Sequence, residues 1–408
     1  MRVLIAGAGA VGGAIAIAAS RSEAFEAVVV ADVTSARAEA VVQRTGSRRF
    51  SASTIDASDR AAVAALAAHH RCDAIVNACD PRFNPTIFGA AFDAGCNYVD
   101  MAMTLSEPHR ERPYEEPGVL LGAGQLAAHD QWHERGLLAI VGMGVEPGLS
   151  DVFARYAADH LFESIAEVGV RDGSNLVIDG IAFAPTFSVW TTIEECLNPP
   201  LIWERARGWY TTEPFSEPES FVFPGDIGSV ECVNVEHEEV VLIPRFVQCE
   251  RVTFKYGLGA ELIDFLRMLH KTGLASKEPM RVGNVTVSPR DVVAATLPDP
   301  ATLGDRMHGV TCAGTWVRGI GADGHAREVY LYHLSDNAET MGRHGVQAVA
   351  WQTAINPVAA LECVASGAWT GAGVLGPEAF DAVPFLDRLR AHGEPWFVDE
   401  RRPRLSVA

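Results

Sequence analysis

Three glycines near the start of the chain have the spacing of a turn that binds a diphosphate. Gly7, Gly9 and Gly12 follow the apolar run Val3–Ala6 and open a helical pattern over Val11–Ser20. In such a turn the first glycine permits a tight bend, the second admits a pyrophosphate, and the third lets helix and strand pack closely. The free N–H groups at the helix start favour an anion. We predict dinucleotide contacts from Gly7, Gly9, Ala10, Val11 and Gly12.

An acidic residue after the second apolar run is placed to select the cofactor. Asp32 comes 20 residues after Gly12, directly after Val28–Ala31, and Val33 follows it. A carboxylate here binds the ribose 2′-hydroxyl and repels a 2′-phosphate, so NAD is favoured. NADP stays open, because Thr34–Arg37 could hold a phosphate if Asp32 turned away. A glycine-rich turn with no cofactor is the competing interpretation.

The first third of the chain alternates between strand and helix patterns. Short apolar runs predict buried strands, and alanine-rich stretches predict helices. This alternation implies right-handed βαβ crossovers and an α/β fold, a Rossmann doubly wound parallel sheet over residues 1–145. We predict strands at Val3–Ala6, Val28–Ala31, Asp73–Val76, Tyr98–Val99 and Ala139–Val141, and helices at Val11–Ser20, Ala36–Gln43, Ala61–His69 and Pro85–Ala94.

The rest of the chain has another pattern and predicts a second domain. The turn Gly144–Ser150 ends the alternation, and Thr315–Ile320 and Arg327–His333 flank a hairpin turn. We expect an α+β domain over residues 146–345 with a mixed, largely antiparallel sheet, and a C-terminal helical segment over 346–408. Other strands are predicted at Ile165–Val170, Phe221–Phe223, Val230–Val235 and Val240–Pro244, and helices at Leu149–Leu161, Ala260–Thr272, Arg290–Thr296, Val346–Ser366 (kinked or reset at Pro357) and within Pro384–Phe397.

Composition excludes several classes of partner. The 408 residues carry a formal net charge of -19, which would repel nucleic acid and anionic membranes. No apolar run approaches the roughly 18 residues of a membrane span. The 8 cysteines include no C-x-x-C pair and lie in apolar text, which predicts free thiols in a reducing compartment. The expected location is the cytoplasm.

Five blocks of the sequence resemble the saccharopine dehydrogenase-like family of NAD(P)-dependent oxidoreductases. They are the glycine turn, Asp73–Cys79, Gly95–Asp100, Gly144–Ser150 and Gly373–Glu378. The family includes saccharopine reductases, lysine 6-dehydrogenases, carboxynorspermidine dehydrogenases and homospermidine synthases. The resemblance implies a C–N bond made or broken through an imine, with hydride exchanged with nicotinamide. It also implies a homodimer, and C-terminal helices that pack beside the nucleotide domain.

The resemblance assigns roles to residues at two strand ends. Asn77, Ala78 and Cys79, at the end of the fourth strand, should line the nicotinamide side of the cofactor. Asp100, at the end of the fifth strand, should face the cleft. Ligands of open α/β sheets bind at the carboxyl ends of the strands, so topology agrees with the family here.

Interconverting an amine and an imine requires an acid–base group whose pKa lies near neutrality. His237 lies in the acidic run Glu236–Glu239, and the family tends to carry a histidine in a similar stretch. An exposed polar residue at a strand start is the competing interpretation. Glu146 lies in the turn between the domains, where it is either catalytic or a simple turn residue. The catalytic candidates are His237, Glu146 and Asp100. We predict no metal site, because neighbours on a strand point to opposite faces.

Four further residues are candidates for binding the substrate. Asp80 and Arg82 follow the fourth strand, and Arg82 could fork onto a carboxylate or remain solvated. Trp190, in a capped helix starting near Ser188, could form the wall of an amine pocket or belong to the core. Glu194 lies on the same helix. Carboxylates near the pocket would suit a diamine better than a dicarboxylate; they are Glu146, Glu194, Glu236 and Glu238.

The sequence therefore predicts an NAD(P)-dependent oxidoreductase that acts on the C–N bond of a small amino acid or opine-like substrate, such as lysine or saccharopine. A polyamine-forming enzyme of the carboxynorspermidine dehydrogenase or homospermidine synthase type is one alternative. A regulatory protein that senses NAD without hydride transfer is the other, since the glycines and Asp32 fit it equally well. A sensor would tolerate loss of His237, Trp190 or Asp100, whereas an enzyme would not.

Overall fold

A computed structural model describes residues 1–181, 189–298 and 302–401. Within these ranges the chain forms two large sheets, two small two-stranded sheets and fourteen α-helices, all numbered below in chain order. The expected helix start at Ser188 lies outside the described residues. One continuous hydrophobic core joins the two large sheets.

The first large sheet has seven strands, all parallel, in the order β19-β6-β5-β4-β1-β2-β3. Its strands are β1 (Arg2–Ala6), β2 (Ala27–Asp32), β3 (Phe50–Thr54), β4 (Ala74–Asn77), β5 (Asn97–Asp100), β6 (Leu138–Ile140) and β19 (Gly373–Leu375). Its associated helices are α1 (Ala10–Ser20), α2 (Ser35–Thr45), α3 (Arg60–His69), α4 (Asn84–Ala94), α5 (Ala123–Ala127) and α6 (His129–Glu134). The predicted doubly wound parallel sheet is confirmed; β3 and β19 are additional to the predicted strands.

The second large sheet is mixed: β13 runs parallel to β7, and every other pairing on it is antiparallel. Its strands are β7 (Phe162–Ser174), β9 (Leu201–Glu204), β10 (Gly208–Thr211), β11 (Glu219–Phe223), β12 (Gly228–Asn234), β13 (Arg251–Gly257), β17 (Val310–Gly321), β18 (Ala326–Asp336) and β20 (Trp396–Arg401). The small sheets pair β8 (Val177–Ile178) with β16 (Met307–His308), and β14 (Met280–Val282) with β15 (Val285–Val287). The predicted mixed, largely antiparallel sheet is confirmed.

Eight helices surround the second sheet or link the two sheets. They are α7 (Leu149–His160), α8 (Val189–Leu197), α9 (Glu239–Phe246), α10 (Gly259–Thr272), α11 (Pro289–Thr296), α12 (Asn337–His344), α13 (Ala348–Ala365) and α14 (Ala382–Ala391). Helix α11 is capped at its start, since the Ser288 side chain accepts a hydrogen bond from the Asp291 N–H.

The prediction of a strand at Val240–Pro244 is wrong, because these residues lie in helix α9. Positions 239 to 243 are all buried, so their apolar character carries no periodicity that could separate a strand from a helix. Pro244 has no N–H to donate to the Val240 carbonyl. The indole Nε1 of Trp209 donates to that carbonyl instead, at 2.9 Å, and this bond compensates for the proline.

The C-terminal segment contacts both large sheets. Helix α13 runs without a break through Pro357, so the helix does not reset there, and it packs against α1. Strand β19 extends the parallel sheet and β20 closes one edge of the mixed sheet. The chain after residue 346 therefore supplies strands as well as the expected helices.

All eight cysteines are free thiols, as predicted, and seven of them are buried. Burial raises the pKa of the partly exposed Cys79 to about 12, which leaves it un-ionised at neutral pH. Within the described ranges, no helix has both the length and the apolar character needed to cross a membrane.

Candidate active site

A cleft of about 1020 Å³ runs along the carboxyl edge of the parallel sheet. Residues from the glycine turn, the ends of β4 and β5, and helices α2, α8, α11 and α13 form its walls. The lining residues include Gly9, Ala10, Val11, Arg37, Arg44, Asn77, Ala78, Cys79, Asp80, Arg82, Met101, Trp190 and Gln347. The fold thus brings most of the predicted cofactor residues to one cleft, with the second domain on its far side.

The glycine turn has the geometry that a dinucleotide requires. A Cβ on Gly12 would lie 2.0 Å from the Gly7 carbonyl oxygen, and one on Gly7 would lie 2.7 Å from the Ala78 oxygen. Gly9, by contrast, faces open space at the cleft. It is also the N-cap of α1, whose first turn contains no acidic residue. Free N–H groups and an open approach at Gly9 fit a pyrophosphate.

Asp32 is turned toward its own loop rather than fully toward the cleft. Its Oδ2 accepts a hydrogen bond from the Ala8 N–H at 2.9 Å and its Oδ1 accepts one from the Thr34 N–H at 2.9 Å. The guanidinium of Arg37 lies 3.6 Å from Oδ1 and lines the cleft, whereas Val33 is exposed and does not. The guanidinium of Arg37 therefore partly compensates the negative charge of Asp32.

Hydrogen bonds hold the wall of the cleft at the end of β4. Asn77 is buried, and its amide nitrogen donates to Asn84 Oδ1 at 2.7 Å and to the Tyr98 hydroxyl at 3.0 Å. Its amide oxygen accepts from the Cys79 N–H at 3.1 Å. These bonds fix the backbone of residues 77 to 79, which lines the cleft.

Asp80, Arg82 and Trp190 form a contact between the two halves of the molecule. Arg82 donates to both carboxylate oxygens of Asp80, and its guanidinium lies 4.5 Å from the Trp190 ring centroid. The guanidinium of Arg290 lies 4.8 Å from the same ring. Trp190 therefore contacts two cations, Arg82 after β4 and Arg290 on α11.

Glu194 is already neutralised by protein cations. It is buried, pairs with Arg290, and accepts a hydrogen bond from Lys277 Nζ at 2.9 Å. Burial opposes ionisation, but the two cations prevail and lower the pKa of Glu194. This carboxylate therefore holds the Trp190 stack in place, and its charge is not free for a substrate ammonium.

Asp100 is a buried carboxyl at the end of β5. Its Oδ1 accepts from the Gly142 N–H and its Oδ2 accepts from the Gln125 amide, both at 2.7 Å. Burial raises the pKa of Asp100 to about 7 despite these bonds. Asp100 can therefore gain or lose a proton near neutral pH.

His237 lies in the turn between β12 and α9 and is buried, which excludes the interpretation of an exposed residue at a strand start. Its Nδ1 lies 2.5 Å from Glu239 Oε2 and 3.4 Å from Glu238 Oε2, and its ring stacks on Phe254 with 3.8 Å between centroids. Burial opposes protonation, but Glu239, Glu238 and Glu195 outweigh it and raise the pKa of His237 to about 10. The imidazole is therefore charged at neutral pH and can donate a proton.

Three more carboxyls surround this histidine, on α8 and in the turn before α9. Burial raises the pKa of Glu195 to about 8 and that of Glu236 to about 7, and it also raises the pKa of Glu238. Glu238 Oε1 accepts from the Met103 N–H at 3.0 Å, which joins the acidic group to the loop after β5. We call Glu195, Glu236, Glu238 and Glu239 the acidic wall.

Glu146 lies close to the acidic wall. Its Oε1 is buried without a hydrogen-bond partner among the described residues. Burial, reinforced by Asp172 and Glu239, raises the pKa of Glu146 well above its usual value. Burial and the neighbouring carboxylates thus favour the neutral form of Glu146, which belongs to the same cluster.

His237, Glu238 and Glu239 lie at the start of helix α9, so the alternation of faces along a strand does not keep their side chains apart. His237, Glu238 and Glu239 place their ligand atoms within 4.8 Å of one another. Hydrogen bonds from His237 to Glu239, from Ser150 to Glu239 and from Met103 to Glu238 account for this grouping. We assign no metal to it.

Sequence reasoning missed several residues of this site. Glu195 and Arg290 gave no signal, because their partners lie far away in the sequence. Glu239 lies two positions after His237. Residues two apart share one face of a strand, so this spacing was the signal in the sequence that could have paired Glu239 with His237.

Comparison with known proteins places the chain in one family over nearly its whole length. The saccharopine dehydrogenase NADP binding domain matches residues 3–140, and the saccharopine dehydrogenase C-terminal domain matches residues 144–394. Carboxynorspermidine synthase of Vibrio alginolyticus is 29% identical over 419 residues, covering 100% of this chain and 99% of its own. Carboxyaminopropylagmatine dehydrogenase of Synechocystis is 28% identical over 398 residues, covering 97% and 96%.

A solved structure agrees at the level of the fold. The L-glutamate-forming saccharopine dehydrogenase of Saccharomyces cerevisiae superposes with a TM-score of 0.68 at 14% identity, covering 98% of this chain and 100% of that one. The glycine turn, the cleft and the matched domains together identify a nicotinamide dinucleotide, NAD(P), as the cofactor and an amine–imine carbon–nitrogen bond as the site of reaction. The chain belongs to the saccharopine dehydrogenase family of NAD(P)-dependent oxidoreductases.

Proposed function

We propose that this enzyme reductively joins an amino-acid aldehyde to a primary amine of a diamine, forming a carboxyaminopropyl secondary amine. The names of the two relatives describe a carboxylated polyamine and a carboxyaminopropyl amine. With NAD(P)H supplying the hydride, an aldehyde, a primary ammonium and one proton yield a secondary ammonium, water and NAD(P)⁺. The aldehyde that gives a carboxyaminopropyl group is 2-amino-4-oxobutanoate.

The acidic wall is the observation that carries this proposal. A diamine brings at least one ammonium group that does not react, and that group requires negative charge in the site. Glu195, Glu236 and Glu238 lie together beside the end of β5 and have raised pKa values. A bound ammonium would cause these carboxyls to lose their protons and would then pair with the carboxylates. A substrate with several carboxylates, such as saccharopine, would meet repulsion at the same place.

The opposite end of the proposed substrate carries a carboxylate. Arg82 lines the cleft with half of its side chain exposed, and Lys277 is exposed to a similar degree near Glu194. We propose that Arg82 binds this carboxylate beside Trp190 through the guanidinium N–H groups that do not bond Asp80. Arg82 and the acidic wall would then orient an asymmetric substrate in one direction.

A cofactor and substrate screen at 340 nm tests the proposed function. Purified protein would receive NADPH or NADH with 2-amino-4-oxobutanoate and, in turn, 1,3-diaminopropane, putrescine or agmatine. Lysine and saccharopine with NADP⁺ or NAD⁺ form the comparison arm. We expect oxidation of the reduced cofactor with at least one diamine. Turnover of saccharopine or lysine, with no turnover of any diamine, would contradict the proposed polyamine chemistry. It would support a reaction on an amino-acid substrate instead.

We also propose that NADPH is accepted at least as well as NADH. Asp32 is held by two backbone N–H groups, and Arg37 and Arg44 line the adjacent wall of the cleft. Two guanidinium groups at this place suit a 2′-phosphate. The Arg37→Ala variant should raise KM for NADPH about tenfold, equivalent to about 1.4 kcal/mol, with little change for NADH.

Steady-state kinetics with both cofactors measures this selectivity. Arg48→Ala is the matched control, because Arg48 is exposed and does not line the cleft. If Arg37→Ala raised KM equally for NADPH and NADH, Arg37 would not bind the 2′-phosphate.

We further propose a homodimer located in the cytoplasm. The hairpin of β14 and β15 has almost no buried residue, and its Met280, Val282 and Val285 are exposed apolar side chains. Met268 and Leu274, on and just after α10, are exposed as well. An isolated two-stranded hairpin is marginally stable alone, so a second copy covering this surface is the simplest assembly. Light scattering should give twice the chain mass of 43.8 kDa.

A further inference from the structure

His237 is linked to the start of α7 by a chain of buried hydrogen bonds. The Ser150 hydroxyl donates to Glu239 Oε1 at 2.7 Å, and Glu239 Oε2 lies 2.5 Å from His237 Nδ1. Ser150 is itself fixed, because its carbonyl accepts a hydrogen bond from the Thr315 hydroxyl at 2.7 Å. Ser150, Glu239 and Thr315 are all at most 1% exposed. Both oxygens of Glu239 are thus engaged, and the carboxylate has one orientation.

The imidazole ring is constrained on its face as well as at its edge. The Phe254 ring stacks on it with an interplanar angle of 5°. Among the described residues, no protein group bonds the other ring nitrogen, Nε2. This nitrogen is not completely enclosed by protein atoms. One nitrogen is therefore committed to Glu239, and the other has no hydrogen-bond partner among the described residues.

A second buried histidine in the same chain shows a different arrangement. His333 pairs with Glu394 at 3.2 Å through Nε2, and its Nδ1 lies 3.0 Å from the Gln352 amide nitrogen. Glu394 accepts a further bond from the Trp351 indole. Both ring nitrogens of His333 are consumed by the protein, as expected of a structural residue. This contrast separates His237 from an ordinary buried His–Glu pair.

We propose that Ser150 and Glu239 are positioning residues that fix His237 as a proton donor with Nε2 directed away from Glu239. This inference rests on the proposed function, in which one proton is consumed per turnover. His237 Nε2–H would give its proton to the oxygen that leaves as water when the aldehyde and amine condense. Solvent would then return a proton to the ring. Glu239 keeps its charge throughout and holds Nδ1–H.

Several charged groups face His237 and must be considered together. Glu238 and Glu239 approach from its own turn, Glu195 from α8 and Asp172 from β7. Glu146 and Asp151 in turn face Glu239. Among these carboxylates, the one within hydrogen-bond distance of Nδ1 is Glu239, and the nearest of the others lies 3.4 Å away. Loss of Glu239 should therefore have the largest effect on the ring.

The test measures the titration of His237 directly, without substrate or cofactor. Protein labelled with ¹³C-histidine would be titrated by NMR, and the His237 resonance assigned by its loss in His237→Gln. Glu239→Gln should lower the titration midpoint by about two pH units. Glu394→Gln is the matched control, since it neutralises the other buried His–Glu pair, and it should leave the His237 midpoint unchanged. An unchanged midpoint in Glu239→Gln would overturn the inference.

Ser150 variants separate positioning from charge. Ser150→Ala should shift the titration midpoint of His237 by less than about one pH unit. The same variant should lower kcat about tenfold at constant KM. Ser150→Thr should restore most of kcat, because it restores the hydroxyl. Wild-type kcat in Ser150→Ala would overturn the positioning role while the proposed function stands. No turnover of any diamine by the wild type, with the midpoint shift of Glu239→Gln intact, would refute the proposed function and leave the link between Glu239 and His237 standing.

Discussion

His237→Gln is expected to lower kcat by about 10²- to 10⁴-fold, the usual contribution of a positioned acid–base group. The imidazole is charged at neutral pH, because the carboxylates around it outweigh the effect of burial. Glutamine can still donate a hydrogen bond but cannot give up a proton. Cofactor affinity should be unchanged, since His237 is not among the residues that line the cofactor cleft.

Steady-state kinetics and a calorimetric titration with NADPH would measure the two quantities separately. His160→Gln is a suitable control, because His160 ends α7 as an exposed residue. Retention of at least half of the wild-type kcat by His237→Gln would remove this histidine from the mechanism. Another candidate, such as Asp100 with a pKa near 7, would then take its place.

The second large effect concerns stability, which is expected to fall as pH rises from about 6 to 8.5. Burial raises the folded-state pKa of Asp100, Glu236 and Glu378 to about 7, whereas unfolded carboxyls titrate near 4. The folded protein therefore binds more protons than the unfolded chain in this range, and stability decreases with rising pH. Each fully buried group should contribute about 1 kcal/mol between pH 6 and 8.

His237 acts in the same direction. Its folded-state pKa lies above the unfolded value, so its stabilising contribution is complete below about pH 6.5 and is lost as pH rises toward 10. His344 acts oppositely on the acid side: burial lowers its pKa to about 4, so charging it costs stability as pH falls below 6.5. The three carboxyls outweigh the single His344, so stability should continue to rise as pH falls from 7 to about 5.

Unfolding temperatures and urea midpoints between pH 5.5 and 9 would measure this dependence. Glu378→Gln should flatten it and stabilise the protein at pH 8, because both carboxylate oxygens of Glu378 are buried without a partner among the described residues. Glu23→Gln is the control, as Glu23 is exposed in the turn after α1. A melting temperature that rises from pH 6 to pH 8.5 would contradict the assignment of protonated buried carboxyls.

The sequence by itself determined the cofactor domain and the fold class. The roles of Gly7, Gly9 and Gly12 depend on neighbours a few positions away, so their spacing can be recognised without the fold. Strand and helix periodicity is equally local, and it located most elements to within a few residues. It failed at α9, where every position from 239 to 243 is buried and burial erases the period.

Tertiary structure alone decided the chemistry of the candidate site. The Met103 N–H reaches Glu238 across 135 positions of sequence, and Arg290 reaches Glu194 across 96. Which carboxylates are neutralised and which keep a raised pKa depends on such contacts and on burial, because both act through space. Composition predicted an acidic protein, but only the fold separates Glu194, paired with two cations, from Glu195 and Glu236 in the acidic wall.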